Sequence, residues 1–284
     1  MTRTHAALCT PQFMRTAPAA TRPRHAARVP SFAGWAAAGV LLGTLVAAVV
    51  FAPARWLAQG IHHFSSGRVL LADARGTVWS GSASVALTGG AGSRDAMALP
   101  GRVHWSLRPL LGASAHLSLR ADCCTSDALR MTLRAGAGSA SLTLADARSR
   151  WPSAWLAGLG TPWNTLQPEG ALQLSTQGLV LRWAEGRLQM DGRAEVIAES
   201  VSSRLSTLRP LGSYRLTLAG GSTPALALDT LGGSLQLTGQ GQWVGGRLRF
   251  EGLAQAEAQR EDALGNLLNL IGQRRGAQSR ITLG

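Results

Sequence analysis

The sequence contains no lysine. All 28 of its basic residues are arginine, set against 15 acidic residues, for a formal net charge of +13 over 284 residues. Excess positive charge suggests a phosphate or anionic-membrane partner when taken alone. Here the exclusive use of Arg, beside abundant Ala, Gly and Leu, points instead to the base composition of a GC-rich gene, so basicity carries little weight. Cysteine is almost absent as well: only Cys9, Cys123 and Cys124 occur. With no further Cys or His close by, the adjacent pair cannot complete a tetrahedral metal site, and it is expected to be two small residues in a loop. The sequence also lacks Cys-x-x-Cys, His-x-x-x-His and Gly-x-Ser-x-Gly, which removes the entry residues of zinc and serine-hydrolase chemistry. Acidic residues are scattered without an obvious carboxylate pair. His62 and His63 are adjacent and badly placed to share a metal, while His104 and His116 fall on polar strand faces. Gly239-Gln240-Gly241 lacks the helix and cation of a phosphate loop and reads as a turn. The expectation is no catalytic residue, no metal and no cofactor. Nucleic acid is excluded as a partner, because Arg alternates along strands and the Trp residues lie on the apolar side. No small-molecule substrate is expected.

One long uncharged run is present. Residues 32–52 read FAGWAAAGVLLGTLVAAVVFA, roughly 30 Å as a helix, the thickness of a bilayer core. Phe32, Trp35, Leu41, Leu42, Val46, Val50 and Phe51 are its expected lipid-facing anchor residues. Before the run stand Arg3, Arg15, Arg22, Arg24 and Arg28 with no acid, so the positive-inside rule puts the N-terminus in the cytoplasm. A cleaved signal peptide is the alternative, since Ala52-Pro53-Ala54 has a small-x-small form. The expected layout is a disordered Arg/Pro-rich cytoplasmic tail (1–31), a transmembrane helix (32–52), a linker (53–67) and an exported β-rich domain (68–284).

From residue 68 onward apolar residues recur at period two. Val103, Trp105 and Leu107 alternate with Arg102, His104, Ser106 and Arg108. Leu129, Met131 and Leu133 alternate with Arg130, Thr132 and Arg134, and similar runs continue past Leu248 and Phe250. This is the pattern of antiparallel strands with one solvated face. Gly89-Gly90, Pro100-Gly101, Gly136 with Gly138, Gly220-Gly221, Gly232-Gly233 and Gly245-Gly246 mark turns between neighbours. The fold class is mainly β: a curled antiparallel sheet, sandwich or half-barrel behind a single N-terminal helix. Two segments, residues 148–160 and the stripe Leu264, Leu267, Leu268, Ile271, carry helical spacing and are expected as short amphipathic helices. The strand after Gly233 is expected at a sheet edge, open to strand addition.

Four motifs in order then give the chain a resemblance. Gly76-Thr77-Val78-Trp79-Ser80-Gly81-Ser82-Ala83, Gly101-Arg102-Val103-His104-Trp105-Ser106-Leu107-Arg108-Pro109-Leu110, Pro210-Leu211-Gly212-Ser213-Tyr214-Arg215-Leu216 and Leu267-Leu268-Asn269-Leu270-Ile271-Gly272, following the uncharged run, resemble those of general secretion pathway protein N, the N component of type II secretion systems. The long tail and the paired cysteines depart from the family pattern. The resemblance implies an accessory, non-enzymatic inner-membrane component with a periplasmic domain. Its implied partners are other type II secretion components: inner-membrane platform proteins, with the outer-membrane secretin as a further candidate, alongside the lipid bilayer. The motif residues Gly76, Val78, Trp79, Gly81, Gly101, Val103, Trp105, Leu107, Pro210, Leu211, Gly212, Tyr214, Leu216, Leu268, Leu270 and Gly272 are expected to be structural. A competing reading is an AsmA-like domain whose inward apolar face holds lipid, and it turns on whether that face is filled by the chain's own Leu and Trp side chains.

Overall fold

The structure, a computed structural model, describes residues 32–244 and 247–284. The tail expected to be disordered and the Gly245-Gly246 turn lie outside the described residues. Helix α1 (Phe32–Val50) is uncharged over its 19 residues, and the side chains of its first two lie outside the described set. Among the described residues no helix is long and apolar enough to cross a membrane.

Helix α2 (Ala54–Phe64) occupies the stretch expected as a linker. It is amphipathic: Ala54 and Leu57 pack against Ala83, Trp105 and Leu71 of the sheet, which is why the segment folds instead of spanning. Then come strands β1 (Val69–Gly76), β2 (Ser80–Thr88), β3 (Ala96–Ala98), β4 (Val103–Leu110), β5 (Ser114–Ala121), β6 (Leu129–Gly136), β7 (Ser139–Leu144) and β8 (Ala147–Pro152). A 3-10 helix (Ser153–Leu159) and helix α3 (Trp163–Leu166) lead into the long strands β9 (Glu169–Ala184) and β10 (Arg187–Ser202). The chain closes with β11 (Gly212–Gly221), β12 (Ala225–Gly233), β13 (Leu235–Val244), β14 (Arg247–Ala256), helix α4 (Glu261–Ile271), β15 (Gln273–Arg275) and β16 (Gln278–Leu283).

Among the described residues the sixteen strands form one antiparallel sheet, ordered β1-β2-β4-β5-β6-β7-β9-β10-β11-β12-β13-β14-β16-β15, with β3 added beside β2 and β8 beside β9. Period-two patterning and short glycine turns thus yield a meander. The path ends at β1 and β15 without joining, so the sheet is open, and the sandwich among the expected forms is set aside. Residues 148–160 correct a second expectation. Their first part is strand β8, because Trp151 pairs with Leu172 in a ladder along β9, and only the rest turns as a helix. The α4 stripe is a helix as expected, with Glu261 and Asp262 in its first turn, where they favour the dipole.

Buried side chains gather at separate places. One cluster joins Leu211, Leu235, Ala254 and Ala256 with Leu264, Leu267 and Leu268 of α4. A second joins Ala54, Ala83 and Trp105. A third joins Leu99, Ala121 and Cys124 beside Trp151 and Trp155, whose rings stack at 5.7 Å. Between them the apolar side of the central strands, including Met131, Leu142, Leu181 and Leu216, is only half-buried.

The strand after Gly233 corrects a third expectation. β13 lies inside the sheet, paired over its full length with β14 and over its second half with β12. Its first half is closed on the β12 side by other means. Leu235 N–H donates to Leu211 O at 3.0 Å, Tyr214 Oη–H donates to Leu235 O at 3.0 Å, and Leu237 N–H donates to Thr230 Oγ1 at 2.6 Å. By alternation the Gln236 N–H faces β14. Gln236→Pro therefore removes an interior ladder bond and should lower unfolding free energy by about 3 kcal/mol. A denaturation midpoint unchanged from the parent would place this strand at an edge after all.

Candidate functional site at the turn beside the first helix

Two of the four motifs meet at the turn 76–81 between β1 and β2. Gly76 has φ +90°, which only glycine adopts readily, and a Cβ there would lie 2.5 Å from Ser80 O. Thr77 N–H donates to Ser80 O at 2.8 Å, and Ser80 N–H donates to Thr77 Oγ1 at 3.1 Å, closing the turn. Gly81 pairs with Trp105 across the β2–β4 ladder. A Cβ at Gly81 would stand 2.5 Å from Trp105 Cζ2, so the missing side chain makes room for the indole. That ring is 6% exposed, and its Nε1–H is shared between Thr77 O at 3.2 Å and Val78 O at 3.1 Å. A buried indole needs such a partner, and here the partner is the turn itself.

The same turn grips the preceding chain. Val78 N–H donates to Ala52 O at 2.8 Å, Pro53 bridges Thr77, and Trp79 Nε1–H donates to Val49 O at 2.8 Å. On the sheet side Leu107 N–H donates to Trp79 O at 2.6 Å. Gly76, Val78, Trp79, Gly81, Trp105 and Leu107 thus form one junction between the end of α1 and strands β1, β2 and β4. The sheet faces expected from alternation hold, with Trp105 buried and His104 exposed.

Arg102, expected on a solvated face, has a larger part. Its Nη1 donates to Asp73 Oδ2 at 2.8 Å, Nη2 to Asp73 O at 2.7 Å and to Ser82 O at 3.1 Å, and Nε to Ser82 Oγ at 3.1 Å. Asp73 has φ +49° at an irregularity in β1, and the guanidinium holds that bulge against β2. The sequence offers one signal for this, an Arg directly after the turn glycine Gly101, whose φ is +80°. The Arg102 and Arg75 guanidiniums hold the Asp73 carboxyl below its ordinary 3.8. Asp122 is likewise lowered, first by the Arg102 backbone N–H and then by His104, whose Nε2 lies 3.3 Å away. Both groups are exposed, which limits what they contribute.

The other two motifs stand elsewhere, at the cluster under α4. Leu211, Leu267 and Leu268 are buried there, and Tyr214 Oη donates to Leu235 O. Burial pushes the Tyr214 hydroxyl up from its ordinary 10.0. A Cβ at Gly212 would meet Gly232 O at 2.8 Å, and one at Gly272 would meet Ser279 Oγ at 2.8 Å, so both glycines serve close backbone approach. Val103 and Leu216 are half-buried, while Pro210, Gly101 and Leu270 are exposed. Of the anchor residues, Trp35, Leu41, Leu42, Val46, Val50 and Phe51 present exposed apolar side chains along or just past α1.

A cleft of about 1160 Å³ lies between the 122–128 loop and strands β8, β9 and β10. Its lining is mixed, with Asp122, Asp146, Arg148, Arg150 and Glu195 among the charged groups. Cys123 and Cys124 sit at its wall in the 122–128 loop, as expected, but are joined by a disulfide, which corrects their reading as two incidental small residues. Cys124 is buried against Ala121 and Leu99, while Cys123 is exposed. Among the described residues no group of His, Cys, Asp and Glu could hold a metal ion.

An open antiparallel meander with its motif residues spent on turns and packing defines an all-antiparallel β-sheet domain. The chain matches the family described as Type II secretion system (T2SS), protein N over residues 67–283, and it belongs to that family. No curated protein and no solved structure matches it.

Two outcomes test the junction. Trp105→Ala should cost about 3–5 kcal/mol, as for a large buried aromatic, whereas His104→Ala should change stability by under about 1 kcal/mol. Gly81→Ala should cost about 1–3 kcal/mol by overpacking the indole. Chemical denaturation measures all three, and equal effects of the Trp105 and His104 changes would reverse the assignment of faces. Because the Asp73 and Asp122 pKa values are depressed on folding, their contribution is present above the ordinary carboxylate value and is lost as pH falls through the folded values. Asp73→Asn should therefore reduce the steepness of acid unfolding below about pH 4.

Proposed function

We propose that this chain is an accessory inner-membrane component of a type II secretion machine, anchored by α1 and acting as a non-enzymatic scaffold through its periplasmic sheet. The observation that carries the reading is the junction at turn 76–81, where family motif residues are used to grip Val49 and Ala52. A domain tethered by a floppy linker has no need of that grip. The uncharged run of residues 32–52 supports the anchor: as a continuous helix its sequence would cover roughly 30 Å, close to a bilayer core. The basic, acid-free residues before it favour a cytoplasmic N-terminus, and the Cys123–Cys124 disulfide suits an oxidising periplasm. In this layout residues 1–31 are cytoplasmic and the rest from residue 53 is periplasmic. Family membership supports other type II secretion components as partners, namely inner-membrane platform proteins and the outer-membrane secretin.

A second reading is kept because one observation favours it. The central apolar face is incompletely covered by the chain's own side chains, since Met131, Leu142, Leu181 and Leu216 stay half-buried. A lipid-holding sheet would leave its face in that state. Mass spectrometry of lipids released from protein purified in detergent and extensively washed separates the two. Stoichiometric phospholipid that survives washing supports lipid carriage, and its absence supports the scaffold.

Anchoring has its own test. The full-length chain should remain in membranes after alkaline extraction, and a periplasm-specific reporter fused after Gly284 should be active. Recovery of a soluble periplasmic product beginning near Arg55 would show that the segment is a cleaved signal peptide.

A further inference from the structure

Six hairpin turns of the sheet lie at one end, while the β12–β13 and β15–β16 turns lie at the other. The β1–β2, β4–β5, β6–β7, β9–β10, β11–β12 and β13–β14 pairs are each antiparallel neighbours joined there, and the connections between pairs run at the other end. The chain also enters the sheet domain at the hairpin end, where Val78 and Trp79 bind Ala52 and Val49. The β4–β5 tip reaches past that entry point, because Ser80 of the entry turn pairs with Ser106 while β4 continues to Leu110.

These tips carry unusual side chains for turns in water. Leu111 is 99% exposed at the β4–β5 tip, and Trp183 and Leu188 at the β9–β10 tip are 56% and 54% exposed. Single exposed apolar residues need no explanation. Three on hairpin tips at the same end of the sheet, interleaved with cations, do. Arg108 and Arg134 flank the β4–β5 tip and Arg187 precedes Leu188 at the β9–β10 tip, and among the described residues none of the three forms an ion pair. Glu185 is the one acid among the described residues of these turns, whereas Asp95, Asp122, Asp127, Asp146, Glu257 and Asp262 lie toward the opposite end. Large apolar and indole side chains flanked by unpaired guanidiniums match the two layers of a membrane surface, with acyl boundary below and phosphates above.

We propose that the hairpin end of the sheet is a membrane-contacting edge, with Leu111, Trp183 and Leu188 seated in the headgroup layer and Arg108, Arg134 and Arg187 binding the phosphates of anionic phospholipids. The edge rests on the reading of α1 as an anchor, which brings this end to the bilayer, and it makes the domain stand on the membrane by several points instead of swinging from one.

The test uses the full-length chain with Cys9→Ser in vesicles of phosphatidylethanolamine and phosphatidylglycerol. An environment-sensitive fluorophore is attached at Leu111→Cys, or in a second variant at Trp183→Cys, and quenched by phospholipid spin-labelled near the headgroup. Phe64→Cys is the control, since Phe64 is 90% exposed at the opposite end. The edge predicts blue-shifted emission and strong quenching at Leu111 and Trp183 and neither at Phe64. Quenching should weaken in pure phosphatidylcholine, and also on changing Arg108, Arg134 and Arg187 together to Gln. Aqueous emission at both tip positions, in vesicles from which alkaline washing does not remove the chain, would overturn the edge and leave the anchor standing. Removal of the chain by that wash would sink both.

Discussion

The indole of Trp105 lying over Gly81 is the contact on which the arrangement depends. Its N–H reaches two carbonyls of the turn 76–81, and that turn in turn holds Ala52 and Val49. Remove the ring and the turn loses its internal partner, α2 loses the surface that covers Ala54, and the entry of the chain into the sheet is no longer fixed. The arrangement needs a glycine where any Cβ would collide, which explains why a short glycine-rich motif and a distant tryptophan belong to one unit.

From this junction the sheet extends by simple rules. Each hairpin is local and most neighbours follow one another in sequence; the exceptions to be placed are β3 and β8, which stand off the path, β15, which lies beyond β16, and α4. The cost is an open sheet whose apolar side is sealed in patches: by α2 near β2 and β4, by α4 against β13, β14 and β16, and by Trp151 and Trp155 beside Leu99. The patches leave the middle half-covered, and the functional question of scaffold or lipid carrier turns on that strip.

Much of this was legible in the sequence. Alternation placed Trp105 inside and His104 outside, glycine pairs marked the hairpins, and the 3.6-residue stripe located α4. Other features were hidden for identifiable reasons. Residues 53–67 look like a linker because α2 is short, and its apolar stripe has meaning only with Trp105 as partner. Residues 148–160 show helical spacing of Trp151 and Trp155, yet a β9 strand with unpaired backbone alongside captured the first part as β8. The strand after Gly233 looked free because its side chains are uncharged, while its closure by Leu211, Thr230 and Tyr214 depends on contacts far away in sequence. Arg102 reads as a solvated cation because alternation says nothing of what a long side chain can reach across a strand.

The central claim is that the sheet domain is fastened to the end of α1 through the 76–81 turn. Amide hydrogen exchange on the full-length chain in lipid nanodiscs addresses it directly. The Val78 and Leu107 amides, whose bonds cross the junction, should be protected to the level of the buried strands, and Trp105→Ala should release them together. Exchange at Val78 as fast as at the open Gly112 turn would contradict a fixed junction and leave the sheet joined to the helix by a free hinge.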